Sequence, residues 1–488
     1  MDSKVNKLPI PDKNTNVLLS LNEEKQKFLT EYPNFQKTSV LDEIRKDDYP
    51  NLDLHGHIYL DYTGAGLYAQ SQLQKHHDLM ASNVFGNPHS SNPTSLAMTR
   101  LVEKSRETVL GFFNADPKEY VCIFTHNASG ALKLVGESYP FKANSHYLLT
   151  YDNHNSVNGI REFARVKGAK INYIPVLLPG LQMDQEELRC QLNQKNPGAD
   201  SLFAYPAQSN FSGVQHSLDW INVAKEAGWD VLLDAAAFVP TNQLDLQQYH
   251  PDFVTLSFYK LFGYPTGVGL LLARREALSK LHRPLFAGGT ITVASVKGDR
   301  FYLHQGAEGF EDGTINYLSL PAIEIGLNYI STIGYEMIHN RVVDLTDWLI
   351  KKLASICHSN GRNMISLYGP DSMDNRGGTI AMNFYDPDGH FIDHLQVEAR
   401  ANKMGISLRT GCFCNPGDGE MALGLSADEL TSCFAIKTNF EYQDFRSCLA
   451  EKSTGAVRVS LGLVSNFEDV YQMVKLAVSF IDMKYTEI

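Results

Sequence analysis

The chain has 488 residues, 43% of them hydrophobic and 20% charged, with a formal net charge of -12 and a pI near 5.7. That length buries a large core and allows roughly two to four domains. The acidic balance repels phosphates, which argues against sequence-independent nucleic-acid binding. The most apolar stretch, 253–273, is interrupted by Lys260, Pro265 and three glycines, which argues against a membrane span.

Residues 1–50 are polar and charge-rich and are expected to form an N-terminal extension with short helices near 23–30 and 40–46. Their start carries no basic-then-apolar leader, so a signal peptide is not expected. From residue 51 the pattern alternates. Apolar, strand-like runs at 58–60, 120–124, 147–150, 171–175, 202–205, 230–233, 253–257 and 269–273 are separated by helical patterns at 95–112, 130–139, 159–167 and 220–227. Alternation of this kind predicts an α/β domain, a mostly parallel sheet covered by helices, spanning 51–335. Ligands of such sheets bind at the carboxyl ends of the strands. A long helical pattern follows from 320 to about 357. Mixed helix and strand signals then predict a smaller α+β domain over 336–488.

Seven cysteines, an odd number, do not form a secreted disulfide pattern. They point to a cytoplasmic, reducing location in which thiols stay free.

Three features of the first domain carry chemistry. Lys260 ends a strong β run in Ser257-Phe-Tyr-Lys260-Leu-Phe-Gly263 and should emerge into a cleft. Asp234 ends the preceding run in Val231-Leu-Leu-Asp234 and lies 26 positions earlier. Alone, the lysine reads as a surface residue and the aspartate as a helix cap. Together they suit pyridoxal 5'-phosphate (PLP), which needs a lysine for its aldehyde and an acid for its pyridine nitrogen. The third feature is Phe124-Thr-His-Asn-Ala-Ser129-Gly130, small residues between a strand and a helix, where free backbone amides make an anion site.

These residues, in this order, resemble fold-type-I PLP enzymes of the class-V aminotransferase group, and within it the NifS-like cysteine desulfurases. Further matches are Tyr59-Leu-Asp-Tyr-Thr-Gly-Ala-Gly66, Gly86-Asn-Pro-His-Ser90, Ser209-Asn-Phe-Ser-Gly213 and Phe310-Glu-Asp-Gly-Thr314. The stretches Ser257-Phe-Tyr-Lys-Leu-Phe-Gly-Tyr-Pro-Thr-Gly267, Leu408-Arg-Thr-Gly-Cys-Phe-Cys-Asn-Pro-Gly417 and Gly455-Ala-Val-Arg-Val-Ser-Leu-Gly462 are most similar to the N-terminal domain of eukaryotic molybdenum cofactor sulfurases.

The resemblance implies that Lys260 holds the cofactor covalently and that Asp234 pairs with its ring nitrogen. It implies that His154 stacks on the ring and assists proton transfer. Ser129, Ala128, Ser257 and Tyr259 are implied phosphate contacts, and Thr314 is implied to reach the phosphate of a partner subunit in a homodimer. Asn210 is placed near the cofactor's phenolic oxygen and the substrate carboxylate, which Arg458 is implied to clamp. There are two departures from the pattern. Relatives often carry glutamine where Ala237 stands, and histidine where Tyr259 stands.

Cys412 and Cys414 stand one residue apart in Arg409-Thr-Gly-Cys412-Phe-Cys414-Asn-Pro-Gly417. A metal site would need more ligands, and no second pair with metal-binding spacing exists, so no metal is expected. A nucleophilic thiol needs access, and the Gly411 and Asn415-Pro-Gly-Asp-Gly419 surroundings predict a flexible loop. Arg409 would favour a thiolate nearby, or serve as a salt-bridge partner. The family pattern selects Cys414, three positions after Gly411.

The resemblance therefore implies removal of sulfur from L-cysteine onto Cys414 with release of alanine. The sulfur acceptor is then the molybdenum cofactor or a cofactor-binding protein. The alternatives are another class-V PLP enzyme (aminotransferase, epimerase or kynureninase-like hydrolase), or a desulfurase serving a different acceptor.

Overall fold

The computed structural model describes residues 18–487 apart from 89, 436–438, 440, 450 and 451. The first 17 residues, with the polar start of the chain, lie outside the described residues.

The large domain is built on seven strands: β1 (Tyr120–Thr125), β2 (His146–Thr150), β3 (Lys170–Ile174), β4 (Leu202–Pro206), β5 (Asp230–Asp234), β6 (Phe253–Ser257) and β7 (Gly269–Arg274). Their order across the sheet is β1-β7-β6-β5-β4-β2-β3. β2 to β6 pair in parallel, and β7 runs antiparallel to both β1 and β6. Seven of the eight apolar runs read from the sequence are these strands, and the run at 58–60 gives the separate strand Ile58–Tyr59. Those of β2 and β4 to β6 are buried at every position, as expected for a sheet with helices on both faces. One core lies on each face: Phe203, Leu233 and Leu256 point into one, and Leu149, Ala204 and Leu232 into the other.

The expected continuous helix from 320 to 357 is instead two helices, Leu320–Ile333 and Tyr335–Ala354. Gly334 between them has φ +86°, a left-handed conformation that ends the first helix. The core changes along the second helix: Ile338 packs in the large-domain core and Val342 onward in another. That second core lies under an antiparallel sheet ordered Ile365–Tyr368, Thr379–Tyr385, Ala456–Ser460, Arg409–Gly411. From the N-terminal region, Phe28 and Phe35 are buried in this small-domain core, while Leu41 and Tyr49 are buried in the large one.

One strand pairing joins the cysteine segment to the large domain, and another sets it within the small-domain sheet. Strand Ile58–Tyr59 pairs in parallel with Ile406–Ser407, just before Arg409. In the antiparallel pairing of Arg409–Gly411 with Ala456–Ser460, Arg409 and Arg458 stand opposite one another. The expectation that all thiols are free is corrected in one respect: Cys433 and Cys448 form a disulfide, while Cys122, Cys190, Cys357, Cys412 and Cys414 are outside any disulfide.

Candidate active site

A cavity of about 310 Å³ opens at the carboxyl ends of the parallel strands. Lys260 reaches it from the short helix Phe258–Phe262 that directly follows β6. Asp234, the last residue of β5, forms another part of its wall. Burial lowers the Lys260 amine's pKa, Asp234 opposes that shift, and Arg458 and Arg409 reinforce it. The result is an amine more easily deprotonated than a surface lysine. Asp234 Oδ1 accepts from the backbone N–H of Ala236 at 3.0 Å, which fixes the carboxylate.

The opposite wall is the start of helix Ala128–Ser138. Gly269 lets this helix sit close to the sheet, since a Cβ there would lie 2.2 Å from the Asn127 carbonyl carbon. Ser257 Oγ accepts from the Ala128 N–H at 2.8 Å, and Ser129 and Ser156 hydroxyls lie 2.6 Å apart. Three hydroxyls at a helix N-terminus form a cradle suited to a phosphate dianion. His154 lines the same cavity. Its Nδ1 accepts from the Ser156 N–H at 3.1 Å, so the neutral ring carries its proton on Nε2. Burial holds its pKa below the ordinary histidine value, with Asp234 opposing and Lys260 and Arg458 reinforcing.

The cavity therefore offers a nucleophilic amine, a buried carboxylate, an imidazole and a phosphate cradle around one space. That donor set fits pyridoxal phosphate, whose aldehyde, ring nitrogen and phosphate need those groups. Ala237 also lines the cavity, and its methyl group offers no hydrogen bond to a bound ring. Gln208, which the sequence reading missed, stands in the same wall, but its Oε1 is taken by Gln215 Nε2 at 2.9 Å. His126, Ser156, Thr266 and Gly267 are further lining residues that were not singled out, although all but Ser156 lie in stretches quoted for their turns.

Not every expected residue joins this space. Tyr259 lines it and is half-buried. Thr314 does not: it is exposed, in the loop after Phe310, beside a second cavity that shares His126 and Gly267 with the first. Arg458 is buried, and its fork is already engaged, with one Nη donating to Asn210 O (2.8 Å) and the other to Asp61 Oδ1 (2.9 Å). Only its Nε is buried without a partner. Burial lowers its pKa to about 10. Arg409, expected from the resemblance to bind substrate, grips the same carboxylate through Nε (2.9 Å) and Nη2 (2.6 Å). Asp61, buried between the two arginines, went unremarked in its quoted motif because its partners lie more than 300 residues away.

The cysteine segment corrects the expected flexible loop. Asn415 is the N-cap of helix Pro416–Ala422, so Asn415-Pro-Gly-Asp-Gly419 is the start of a helix, largely buried. Asn210 Nδ2 donates to Phe413 O (2.7 Å), Asn155 N–H to Cys414 O (2.7 Å) and Asn415 N–H to Cys412 O (2.9 Å). Asn415 Nδ2 donates to Asp152 O (2.8 Å) and Asn210 Oδ1 (3.0 Å). Beneath it, Asp418 accepts from Ser209 Oγ (2.6 Å) and Ser212 Oγ (3.2 Å). Burial beside Asp152 pushes its carboxyl's pKa well above the usual range, and the two serine hydroxyls hold it in place. Gly417 packs so tightly that a Cβ would lie 2.0 Å from Tyr151 O. The loop is held in a set shape, with Phe413 and Cys414 both in left-handed backbone at φ +55° and +56°.

The two thiols differ sharply. Cys414 is exposed and lies near enough to Lys260 and Arg458 to interact with both electrostatically. Cys412 is mostly buried, donates to Thr454 O at 3.2 Å, and burial raises its pKa to about 11, so it stays protonated. Asn210 stands at the junction, lining the cavity while tying down the loop.

The comparisons agree with this geometry. The family model for class-V aminotransferases matches residues 58–473. A molybdenum cofactor sulfurase of Solanum lycopersicum is 38% identical, with the match covering 94% of this chain and 60% of that protein. One of Homo sapiens is 34% identical over 90% of this chain and 51% of its own length. The chain thus spans between half and two thirds of these curated relatives. Among solved structures, an apo cysteine desulfurase from Thermococcus onnurineus superposes with a TM-score of 0.72 at 24% identity, over 90% of this chain and 97% of the other. The cysteine desulfurase CsdA of Escherichia coli gives 0.67 at 20% identity, over 95% and 100%. With this fold and a match over most of its length, the chain belongs to the class-V aminotransferase family.

Proposed function

We propose that the chain is a PLP-dependent L-cysteine desulfurase that forms a persulfide on Cys414, releases L-alanine and supplies sulfur for the sulfuration of the molybdenum cofactor. The observation that carries this reading is the placement of an exposed thiol, on a pinned loop, beside a cavity holding Lys260 and Asp234. The names of the relatives, molybdenum cofactor sulfurases in tomato and human, support the destination of the sulfur.

Pyridoxal phosphate, when bound, supplies an electron sink conjugated to the substrate's amino group. Ser129, Ser156 and Ser257 would hold its phosphate, Asp234 its protonated ring nitrogen, and Lys260 its aldehyde carbon. The chain's own groups then do the following. Lys260, its basicity reduced by burial among cations, takes the Cα proton of cysteine and returns a proton later. His154 offers Nε2–H on the cavity side. The Cys414 thiolate attacks the substrate sulfur: a bond forms between the two sulfurs as the substrate's Cβ–Sγ bond breaks, and the carbon fragment leaves as alanine. Arg458, buried behind Asn210 with its fork engaged, contributes positive charge toward the substrate carboxylate.

The same proposal includes a homodimer in which Thr314 reaches the partner's phosphate site. It is supported by the exposure of Thr314 and by a hairpin, Ile291–Ser295 and Arg300–Leu303, that leaves Val293, Val296, Phe301 and Tyr302 uncovered. It also places the enzyme in the cytoplasm, where Cys414 would stay reduced. No helix among the described residues is long and apolar enough to cross a membrane.

The test is alanine release from L-cysteine. Cys414→Ala should retain the yellow colour of lysine-bound cofactor and lose release by about 10³-fold, whereas Cys412→Ala should stay within about twofold. Release at the parent rate from Cys414→Ala would overturn the assignment.

A further inference from the structure

A third cavity, of about 510 Å³, lies along the cysteine loop, and Lys260 is not in its lining. The loop itself, Gly411 to Asn415, forms one wall. The opposite wall carries Leu430 and Phe434, from helix Ala427–Phe434, and Phe445, from helix Tyr442–Cys448. The Cys433–Cys448 disulfide ties these two helices together, and the Phe434 and Phe445 rings stack at 6.2 Å. Cys414 lines this cavity.

Resting on the desulfurase reading above, we propose that persulfide sulfur leaves through this cavity to a protein thiol carried on an apolar, basic segment, and that a free anionic cofactor does not enter it. Three features of the cavity support this. The loop is fixed by at least four hydrogen bonds and a buried helix start, so Cys414 cannot swing out to deliver sulfur and the acceptor must come to it. The lining is apolar, with Phe413, Leu425, Leu430, Phe434 and Phe445, and its formal charges are the carboxylates of Glu420 and Glu441; no lysine or arginine lines it among the described residues. A phosphate-bearing ligand would meet repulsion there and no fork to bind it, whereas an apolar segment with a cationic neighbour is complementary. The third feature is His394, 3% exposed, which lines the cavity with its Nδ1 3.5 Å from Asp393 Oδ1, so that nitrogen is turned to a carboxylate rather than offered to an anionic ligand.

The transfer balances without any added oxidant or reductant. The incoming thiolate attacks the outer sulfur of the Cys414 persulfide. A new S–S bond forms on the carrier, the bond between the outer sulfur and Cys414 Sγ breaks, and Cys414 leaves as a thiolate ready for the next cysteine.

The experiment loads full-length holoenzyme once with ³⁵S-cysteine in the absence of added reductant, then offers two short thiols of opposite charge, cysteamine and 3-mercaptopropionate. Label transfer is measured per thiolate present. The parent should prefer cysteamine. Glu420→Gln and Glu441→Gln should each lower that preference by up to about fivefold, and high salt should erode it in the parent. Leu430→Asn, which removes apolar contact without adding charge, should slow transfer to an apolar basic thiol peptide, while the alanine burst stays unchanged in all three variants. A preference for 3-mercaptopropionate, or one that neither glutamine substitution moves, would overturn the proposal. Absence of an alanine burst in the parent would instead overturn the desulfurase reading beneath it.

Discussion

The two sides of the active site are positioned by different physics. Lys260 and Asp234 sit where strands β6 and β5 end, and a parallel sheet buried on both faces holds them in place. Cys414 sits on an irregular segment with no sheet of its own. Its position comes from side chains of Asn210, Asn415 and Asp418 that satisfy backbone groups and from two left-handed residues. The cofactor side should therefore tolerate changes that disable the thiol side, and the reverse should not hold.

The largest separation is expected for Lys260→Ala. In the proposed enzyme it removes both the covalent anchor and the base, so alanine formation should fall by at least about 10³-fold. Borohydride reduction should no longer fix cofactor to the chain. A reducible linkage surviving in that variant would show that another lysine carries it.

Asp61→Ala tests the joint between the two sides. It leaves Arg458 buried with only the Asn210 carbonyl and frees Arg409 from its partner. Breaking a buried ion pair by removing one partner costs about 3 kcal/mol, which urea unfolding should show. A loss below about 1 kcal/mol would mean that solvent replaces Asp61 readily.

Asn415→Ala separates the sides most cleanly. It removes a helix N-cap worth about 1 kcal/mol and two hydrogen bonds that shape the loop. Alanine release should drop about tenfold while the cofactor's absorbance is unchanged. An altered absorbance with normal release would reverse the roles assigned to the two regions.

The smallest effect concerns His154. Burial lowers its pKa, so below about pH 6.5 the unfolded chain binds a proton that the folded ring does not, and stability falls as pH drops through that value. His154→Gln should flatten this part of the stability profile relative to the parent. Identical profiles would place the ring in a more solvated setting than its surroundings indicate.

What could be read from the sequence follows the same division. The central strands were legible because a run such as Phe253–Ser257 is buried at every position and leaves a continuous apolar signal. Lys260 and Asp234 were legible because strand ends carry them. The break at Gly334 was not, since a lone glycine inside a helical pattern carries no sign of its φ. The fixed loop was misread because Asn, Pro and Gly serve flexible turns and helix caps alike. What distinguishes the two is burial against Tyr151 and Asp152, more than 260 positions away. Asp61 and the Cys433–Cys448 pairing were hidden for the same reason: each depends on a partner that no local pattern announces.

The central claim is that sulfur from L-cysteine lands on Cys414. Mass spectrometry of the protease-digested holoenzyme after a single turnover, with thiols blocked beforehand except at the active site, reads this directly. The account predicts one added sulfur on the peptide, fragmenting to Cys414, and one alanine per site. Alanine without added sulfur on that residue, or sulfur found on Cys412, would contradict it.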